Sequence, residues 1–306
     1  MSYAARGNTF LNGQPVMKIL KSPRAMTQWT CALRREGVVI GFVPTMGALH
    51  AGHRALIRQA RLACDAVVVS LFVNPTQFGP KEDFATYPRY LRADTAMCRD
   101  EGVDVVFTPT VEAMYPDGCQ TVVTVPDVAR RWEGEIRPTH FAGVATVVTK
   151  LFHIVQPASA YFGQKDFQQT VVVKRMVTDL YQDVRIVVCD TVREPEGLAL
   201  SSRNAYLAPA QRAAAPVLYA ALHHGRAAIR NGQRQGRAVE SVMRRVVQEE
   251  PLATVDYLAV CDPDTLDPVA TIQKQVVLLG AIRIGGIRLI DNLLVKVSRR
   301  ELATDR

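Results

Sequence analysis

Apolar segments alternate with amphipathic ones over residues 38–190, and this alternation constrains the fold more than any other feature of the sequence. Val38–Val43 and Ala66–Val73 are rich in β-branched residues and almost wholly apolar, as expected of strands buried on both faces of a sheet. Between them, apolar residues such as Leu56 and Ala60 recur at helical spacing. The sequence therefore predicts an α/β fold in which helices cover a doubly wound parallel sheet.

The same periodicities assign the remaining elements. Helices are predicted over residues 53–63, 90–101, 141–155 and 167–180, and further strands over 103–109, 159–163 and 184–190. After Asp190 the pattern changes to helices over 209–230 and 237–249, then strands over 255–262, 275–284 and 287–295. Gly285 and Gly286, between two apolar runs, predict a two-residue hairpin turn.

Three regions follow from these elements. Residues 1–16 show no periodicity and are expected to form a loosely ordered N-terminal extension, with Met17 as a plausible shorter start. Residues 17–190 are expected to form the sheet domain, and residues 191–306 a smaller α+β domain.

Composition limits the class of protein. With 48% hydrophobic and 22% charged residues the chain is expected to be globular, and no apolar run is long enough to predict a membrane span. The N-terminus lacks a signal-peptide core, so a cytoplasmic location is expected. Six scattered cysteines without a CxxC pair argue against a zinc site or a disulfide framework. The net charge of +8 suggests anionic partners, but the arginine-rich segment 226–245 has no aromatic residue to stack on nucleic-acid bases.

Four polar clusters fall at predicted strand ends or in the segment after Asp190. They are Thr45–His53, Asn74–Gln77, Gly163–Gln169 and Ser201–Asn204. Ligands of parallel α/β sheets bind beyond the carboxyl ends of the strands. His50 and His53 lie where a helix begins, and its backbone N–H groups and dipole favour an anion such as phosphate. Lys165, beside an expected tight turn at Gly163, also suits a phosphate.

These clusters carry a family resemblance. The stretches "PTMGALHAGH", "NPTQF", "FGQKDFQQ" and "SSRN", in this order, resemble the pantoate–β-alanine ligase family from about Met17 to the C-terminus. The HxGH motif alone marks a wider superfamily of adenylyl transferases and aminoacyl-tRNA synthetases, whereas the four ordered motifs are far more specific. The resemblance implies a Rossmann-like domain of the HxGH nucleotidyl-transferase type with a C-terminal lid domain.

The resemblance also implies a reaction. The family joins pantoate to β-alanine with ATP and Mg²⁺, through a pantoyl-adenylate, and releases AMP and diphosphate. It implies a homodimer that acts on small molecules, without nucleic-acid or membrane partners.

Site residues are carried over only where this sequence matches the family motifs. The implied catalytic residues are His50, His53, treated as proton donor, and Lys165. Gln77 and Gln169 match contacts to pantoate, and Gln77 also lies near the β-alanine site. The implied ATP contacts are Met46, Gly47, Ala48, Leu49, His50, Ala51, Gly52, His53, Gly163, Gln164, Lys165, Asp166, Val192, Leu200, Ser201, Ser202 and Arg203.

Structural interpretations compete with some of these roles. Two histidines at a helix start can be caps, "SSRN" alone is most often a helix cap, and isolated glutamines are usually on the surface. Asp94 matches an acidic position near the magnesium–phosphate region but could equally be a surface carboxylate, and no protein ligand of Mg²⁺ is named. Gln164 stands where the family commonly has Glu, and Leu200 where it usually has Met.

Two other function classes remain open. A nucleotidyltransferase of the same superfamily would share HxGH but would typically carry a different second motif. A non-enzymatic RNA-binding protein is supported only by the basic charge.

Overall fold

The computed structural model describes residues 10–11, 14–15, 17–80 and 82–297. The predicted N-terminal extension, residues 1–16, lies outside this description except for two short antiparallel strands, β1 (Phe10–Leu11) and β2 (Gln14–Pro15). The chain divides into two compact units. The first unit comprises Met1–Gly163 with Val172–Asp190, and the second comprises Gln164–Val171 with Thr191–Arg306.

A parallel sheet of six strands forms the centre of the first unit, which confirms the predicted fold class. Its strands are β3 (Lys18–Leu20), β4 (Ile40–Thr45), β5 (Ala66–Leu71), β6 (Val105–Phe107), β7 (Ser159–Gly163) and β8 (Arg185–Cys189). The order across the sheet is β3-β6-β5-β4-β7-β8. The chain proceeds from β4 through β5 to β6 on one side and through β7 to β8 on the other. The carboxyl ends of β4 and β7 therefore flank the switch point, where such sheets bind ligands.

Helices of the first unit follow the strands. They are α1 (Pro23–Arg35), α2 (Ala51–Ala63), α3 (Leu91–Asp100), the short α4 (Val111–Met114), α5 (Pro126–Ala129) and α6 (Glu133–Ile136), then α7 (His140–Val155); α8 (Phe167–Asp179) spans both units. The predictions of α2, α3, α7 and α8 are confirmed within two residues at each end. The prediction missed α1, although Ser22 caps it and proline occupies its first turn, a common helix start. In the described part of the chain, no helix is long and apolar enough to cross a membrane.

The second unit contains an antiparallel sheet in the order β11-β10-β9. Its strands are β9 (Ala253–Cys261), β10 (Val276–Ile284) and β11 (Ile287–Val295), and its helices are α9 (Pro209–Ala214), α10 (Val217–Arg230) and α11 (Gly236–Gln248). The predicted hairpin is confirmed, because Gly285 and Gly286 have φ of +57° and +92° and Ile284 pairs with Ile287.

One prediction about this half of the chain differs from the structure. A single helix over residues 209–230 is wrong: α9 ends before Pro216, whose ring leaves no N–H to continue a helix. Residues 164–171, which precede the predicted boundary near Asp190, belong to the second unit. The side chain of Asn292 on β11 donates to the carbonyl oxygens of Gln164 and Lys165 at 2.8 and 3.0 Å, which ties that segment to this unit.

Candidate active site

The loop that follows β4 is held in a fixed conformation. Gly47 and Ala48 both have positive φ, at +86° and +51°. The hydroxyl of Thr45 accepts from Gly47 N at 3.1 Å and donates to Ser70 O at 2.7 Å. The backbone N–H groups of Ala48 and Leu49 are therefore turned away from the sheet ladder and need other acceptors.

Asp94 supplies those acceptors. Its two carboxylate oxygens accept from Ala48 N at 2.9 Å and Leu49 N at 2.8 Å. Asp94 lies in the first turn of α3 and is only 4% exposed, so its interpretation as a surface carboxylate is wrong. Burial raises the pKa of Asp94, and the two backbone hydrogen bonds oppose that rise. The sequence motifs did not reveal this loop-holding role.

His50 and His53 cap the start of α2. The Nδ1 atom of His50 accepts from Gly52 N at 3.1 Å, and the Nδ1 atom of His53 accepts from His50 N at 3.3 Å. Their ring centroids are 4.2 Å apart. The capping interpretation thus describes contacts that both rings make. It also fixes the ring nitrogens, because an Nδ1 that accepts a hydrogen bond leaves the proton of a neutral imidazole on Nε2.

A second group of polar side chains follows β5. Pro75–Gln77 form one 3₁₀ turn, and Asn74 caps it. Asn74 is 1% exposed and Gln77 8%, so Gln77 is not a surface glutamine. The Nε2 atom of Gln77 lies 3.3 Å from Met46 Sδ. The structure therefore brings together Met46 and Gln77, which come from the ends of neighbouring strands.

The backbone of Gln77 is also held. Its carbonyl oxygen lies 3.0 Å from His140 Nδ1 and accepts from Arg137 Nη2 at 3.3 Å, while Arg137 also pairs with Glu82. Since a carbonyl can only accept, His140 carries its proton on Nδ1. Burial, aided by the charge of Arg137, lowers the pKa of His140 to about 4. His140 is therefore a neutral structural donor at pH 7.

In the second unit, Gln164–Asp166 form a 3₁₀ turn that leads directly into α8, with half-buried Gln169 in its first turn. Lys165 Nζ lies 3.5 Å from Asp166 Oδ1. The amide of Gln164 donates to Asn292 Oδ1 at 3.2 Å, which a glutamate at this position could not do when ionised. The tight turn beside Gly163 is this 3₁₀ turn, and it does not use glycine's conformational freedom, because Gly163 is the last residue of β7 and does not have a positive φ.

The segment that carries the other predicted ATP contacts is anchored to β11. Arg193 makes a double ion pair with buried Asp291, at 2.5 and 2.9 Å, and its guanidinium lies 3.9 Å from the ring centroid of Tyr219. Leu200 N donates to Val192 O at 3.0 Å. Ser201 caps the 3₁₀ turn of residues 202–206 by accepting from Arg203 N at 3.3 Å, as the capping interpretation expects. The sequence motifs did not reveal Asp291 and Asn292.

Within residues 17–80 and 82–297, no group of three or more His, Cys, Asp or Glu side chains could hold a metal ion.

The parallel sheet and the polar residues that follow β4 and β5 define a class: Rossmann-like α/β proteins, which bind ligands beyond the carboxyl ends of their strands. Within this class, the family model described as Pantoate-beta-alanine ligase matches residues 18–294. The chain belongs to the pantoate–β-alanine ligase family and is a ligase. This membership favours a ligase over the nucleotidyltransferase and the RNA-binding protein.

Similar proteins agree with this assignment. Pantothenate synthetase from Agrobacterium fabrum is 49% identical over 94% of this chain and 100% of its own. A crystal structure of pantothenate synthetase from Thermus thermophilus has a TM-score of 0.86 and 47% identity, covering 90% of this chain and 99% of that one. The pantoate–β-alanine ligase of Francisella tularensis, solved with "Beta-gamma ATP" and β-alanine, has a TM-score of 0.75 and 35% identity, covering 91% and 98%.

Proposed function

We propose that this chain ligates pantoate and β-alanine in two steps with ATP as co-substrate. A carboxylate does not react with an amine in neutral water, because its leaving group would be oxide. A carboxylate oxygen of pantoate therefore attacks the α-phosphorus of ATP, and diphosphate leaves. The amine of β-alanine then attacks the acyl carbon of the pantoyl-adenylate, and AMP leaves. Family membership and the ligands of the Francisella structure support this reaction.

The observation that carries the proposal is the reciprocal histidine cap of α2. Both Nδ1 atoms accept backbone N–H groups, so each neutral ring has an Nε2–H that can donate to a phosphoryl oxygen. A helix start also favours negative charge. In this proposal His50 and His53 bind the phosphates, and His53 is the proton donor. General acid help is typically worth about 10²–10⁴-fold.

The remaining ATP contacts are proposed from chemistry and family resemblance. Lys165 binds phosphate oxygens, and Asp166 binds ribose hydroxyls. Ser201, Ser202 and Arg203 bind the outer phosphates and stabilise the departing diphosphate. The other residues named above as ATP contacts bind ATP through their backbone atoms in this proposal, and Val192 contacts the adenine. Magnesium would be held by the ATP phosphates, where it would neutralise phosphate charge, because Mg²⁺ usually keeps several waters and binds substrate phosphates.

The pantoate contacts are neutral amides. Gln77 and Gln169 can hold hydroxyl and carboxylate oxygens without the full charge pairing that would weaken the nucleophile. Gln77 is buried, and hydrogen bonds hold both its side chain and its carbonyl oxygen, which suits a positioning role. We further propose a lid role for the second unit, a homodimer and a cytoplasmic location, where ATP is available.

The first test is pantoate-dependent exchange of labelled diphosphate into ATP, with β-alanine left out. The wild-type chain is expected to exchange label only when pantoate is present. In His53→Asn the amide oxygen can replace Nδ1 as cap acceptor, whereas the Nε2–H donor is lost. We expect exchange to fall by about 10²-fold or more in this variant.

A matched control is His153→Asn, which removes an exposed imidazole from α7 and should leave exchange unchanged. Absence of exchange from folded wild-type protein that binds ATP would contradict the stepwise ligase. Unchanged exchange in His53→Asn would contradict only the role of His53.

A further inference from the structure

The hydrogen bonds around Asn74 determine which way its side-chain amide points. Its nitrogen lies 3.1 Å from Gly143 O, a carbonyl that can only accept. Its oxygen accepts from Thr76 Oγ1 at 3.0 Å, from Thr76 N at 3.4 Å and from the hydroxyl of Tyr115 at 2.8 Å. Backbone groups of fixed polarity, Gly143 O and Thr76 N, thus lie at the two ends of the amide. If the amide were reversed, its oxygen would face the carbonyl oxygen and its nitrogen would face the N–H donor.

The orientation of Asn74 sets that of Gln77. Asn74 Nδ2 also lies 3.1 Å from the side-chain oxygen of Gln77. Because two amide nitrogens cannot hydrogen-bond to each other, Gln77 must turn its oxygen to Asn74 and its nitrogen away. That nitrogen lies 3.3 Å from Met46 Sδ, a weak acceptor that a substrate oxygen can readily replace.

Tyr115 is the first residue in a series of hydrogen bonds that continues through Asn74 to Gln77. It directly follows α4 and is half-buried. Burial raises the pKa of its phenol, so the hydroxyl is protonated at neutral pH and can donate. Its bond to Asn74 Oδ1 is the shortest that this oxygen accepts. Lys150 Nζ lies 4.9 Å from the centroid of its ring, which restricts the ring independently of the hydroxyl.

We propose that Tyr115 is a positioning residue for the acid substrate: its hydroxyl, through Asn74, holds Gln77 with the amide nitrogen presented to a substrate oxygen. This inference rests on the proposed role of Gln77 in binding pantoate. The hydrogen bonds run from Tyr115 O–H to Asn74 and from Asn74 N–H to Gln77, so the series ends in an N–H donor on Gln77. It therefore favours a carboxylate or hydroxyl oxygen of the acid over a group that can only donate.

The principal test is Tyr115→Phe, which removes the hydroxyl and keeps the ring over Lys150. We expect the pantoate Kd, measured by calorimetry, and the pantoate KM in diphosphate exchange to rise about 3- to 10-fold, the worth of one hydrogen bond. The ATP KM and kcat should change less. The matched control is Tyr161→Phe, which removes a hydroxyl in the same unit whose partner is Cys64 Sγ at 3.4 Å. It should leave the pantoate Kd unchanged.

A double-mutant cycle distinguishes positioning from a general structural effect. If Tyr115 acts through Gln77, Tyr115→Phe should have no further effect on pantoate affinity in a Gln77→Ala background. An equal loss in both backgrounds would overturn the proposal, as would unchanged pantoate affinity in Tyr115→Phe or in Gln77→Ala. Failure of the proposed reaction is distinguishable, because it would appear as absent exchange in a wild-type chain that binds pantoate.

The polarity is tested separately with Gln77→Glu, which also serves if Tyr115→Phe fails to fold. One carboxylate oxygen can still accept from Asn74, while the other replaces the donor with a negative charge. Pantoate affinity should therefore fall further in Gln77→Glu than in Gln77→Ala. Pantoate binding by Gln77→Glu at wild-type affinity would overturn the proposal.

Discussion

At the scale of the residue, Asp94 lies outside the four family motifs but contacts the first of them. Its carboxylate holds Ala48 N and Leu49 N, which lie 46 and 45 positions earlier in the chain. The two N–H donors oppose the desolvation that raises the pKa of this carboxylate. Asp94 thereby fixes the loop that leads into the histidine cap.

Asp94→Asn should damage this loop with almost no change in side-chain size. One of the two N–H groups would then face an amide nitrogen instead of an oxygen, which costs about 1–3 kcal/mol for a buried unsatisfied donor. We expect urea unfolding to show that loss and calorimetry to show weaker ATP binding. Asp100→Asn, an exposed change at the other end of α3, is the control. Wild-type stability and ATP affinity in Asp94→Asn would contradict the loop-holding role.

At the scale of the element, the packing of α7 against the Pro75–Gln77 turn depends on the absence of a side chain. A Cβ on Gly143 would lie 2.4 Å from Thr76 O and 2.6 Å from Gln77 Cα. Both neighbours are backbone atoms, so neither can rotate away. The close approach lets Gly143 O accept from Asn74, which places the amides of the turn.

Gly143→Ala should therefore be destabilising, although alanine is favoured over glycine inside a helix by about 1 kcal/mol. We expect the unfolding free energy to fall by about 1–3 kcal/mol from overpacking, and pantoate binding to weaken as the turn shifts. Differential scanning calorimetry and pantoate titration measure the two effects. Ala142→Gly, at the adjacent position, calibrates the helix-propensity contribution. A Gly143→Ala variant that is more stable than wild type would show that the turn is free to move.

At the scale of the whole molecule, His140 couples global stability to pH. Its pKa is lowered from 6.5 to about 4 in the folded chain, first by burial and then by Arg137. Between these two values the unfolded chain binds more protons than the folded one, so folding becomes less favourable as pH falls. The stabilisation of the folded chain by neutral His140 is complete above about pH 6.5 and is lost as pH falls towards 4.

His140→Asn should remove this dependence. The amide nitrogen of asparagine can replace Nδ1 as donor to Gln77 O but does not titrate. We expect wild type to lose up to about 3 kcal/mol of unfolding free energy between pH 6.5 and 4 beyond any loss in His140→Asn. Urea titrations at half-unit pH intervals measure the difference. His153→Asn, on the exposed side of the same helix, should follow the wild-type curve, and identical curves for His140→Asn and wild type would exclude this linkage.

The parts of the fold that could be predicted are those with local causes. Fully buried strands such as Ala66–Leu71 are apolar at nearly every position, and the hairpin at Gly285 and Gly286 needs a positive φ at both residues. The break between α9 and α10 also has a local cause in Pro216, but the continuous apolar pattern on either side obscured it. The edge strand β3 has three residues, too few for any periodicity.

The sequence by itself determined the α/β class, the histidines at a helix start and the family motifs, because each depends on residues close together in the chain. Only the tertiary structure decided that Asp94 would hold the β4 loop, that Tyr115 would donate to Asn74, and that Asn292 would hold Lys165. These contacts join residues 41 to 127 positions apart. The physical reason is that strand order and helix packing choose such partners, and a polar side chain has the same local pattern whether water or a distant backbone group satisfies it.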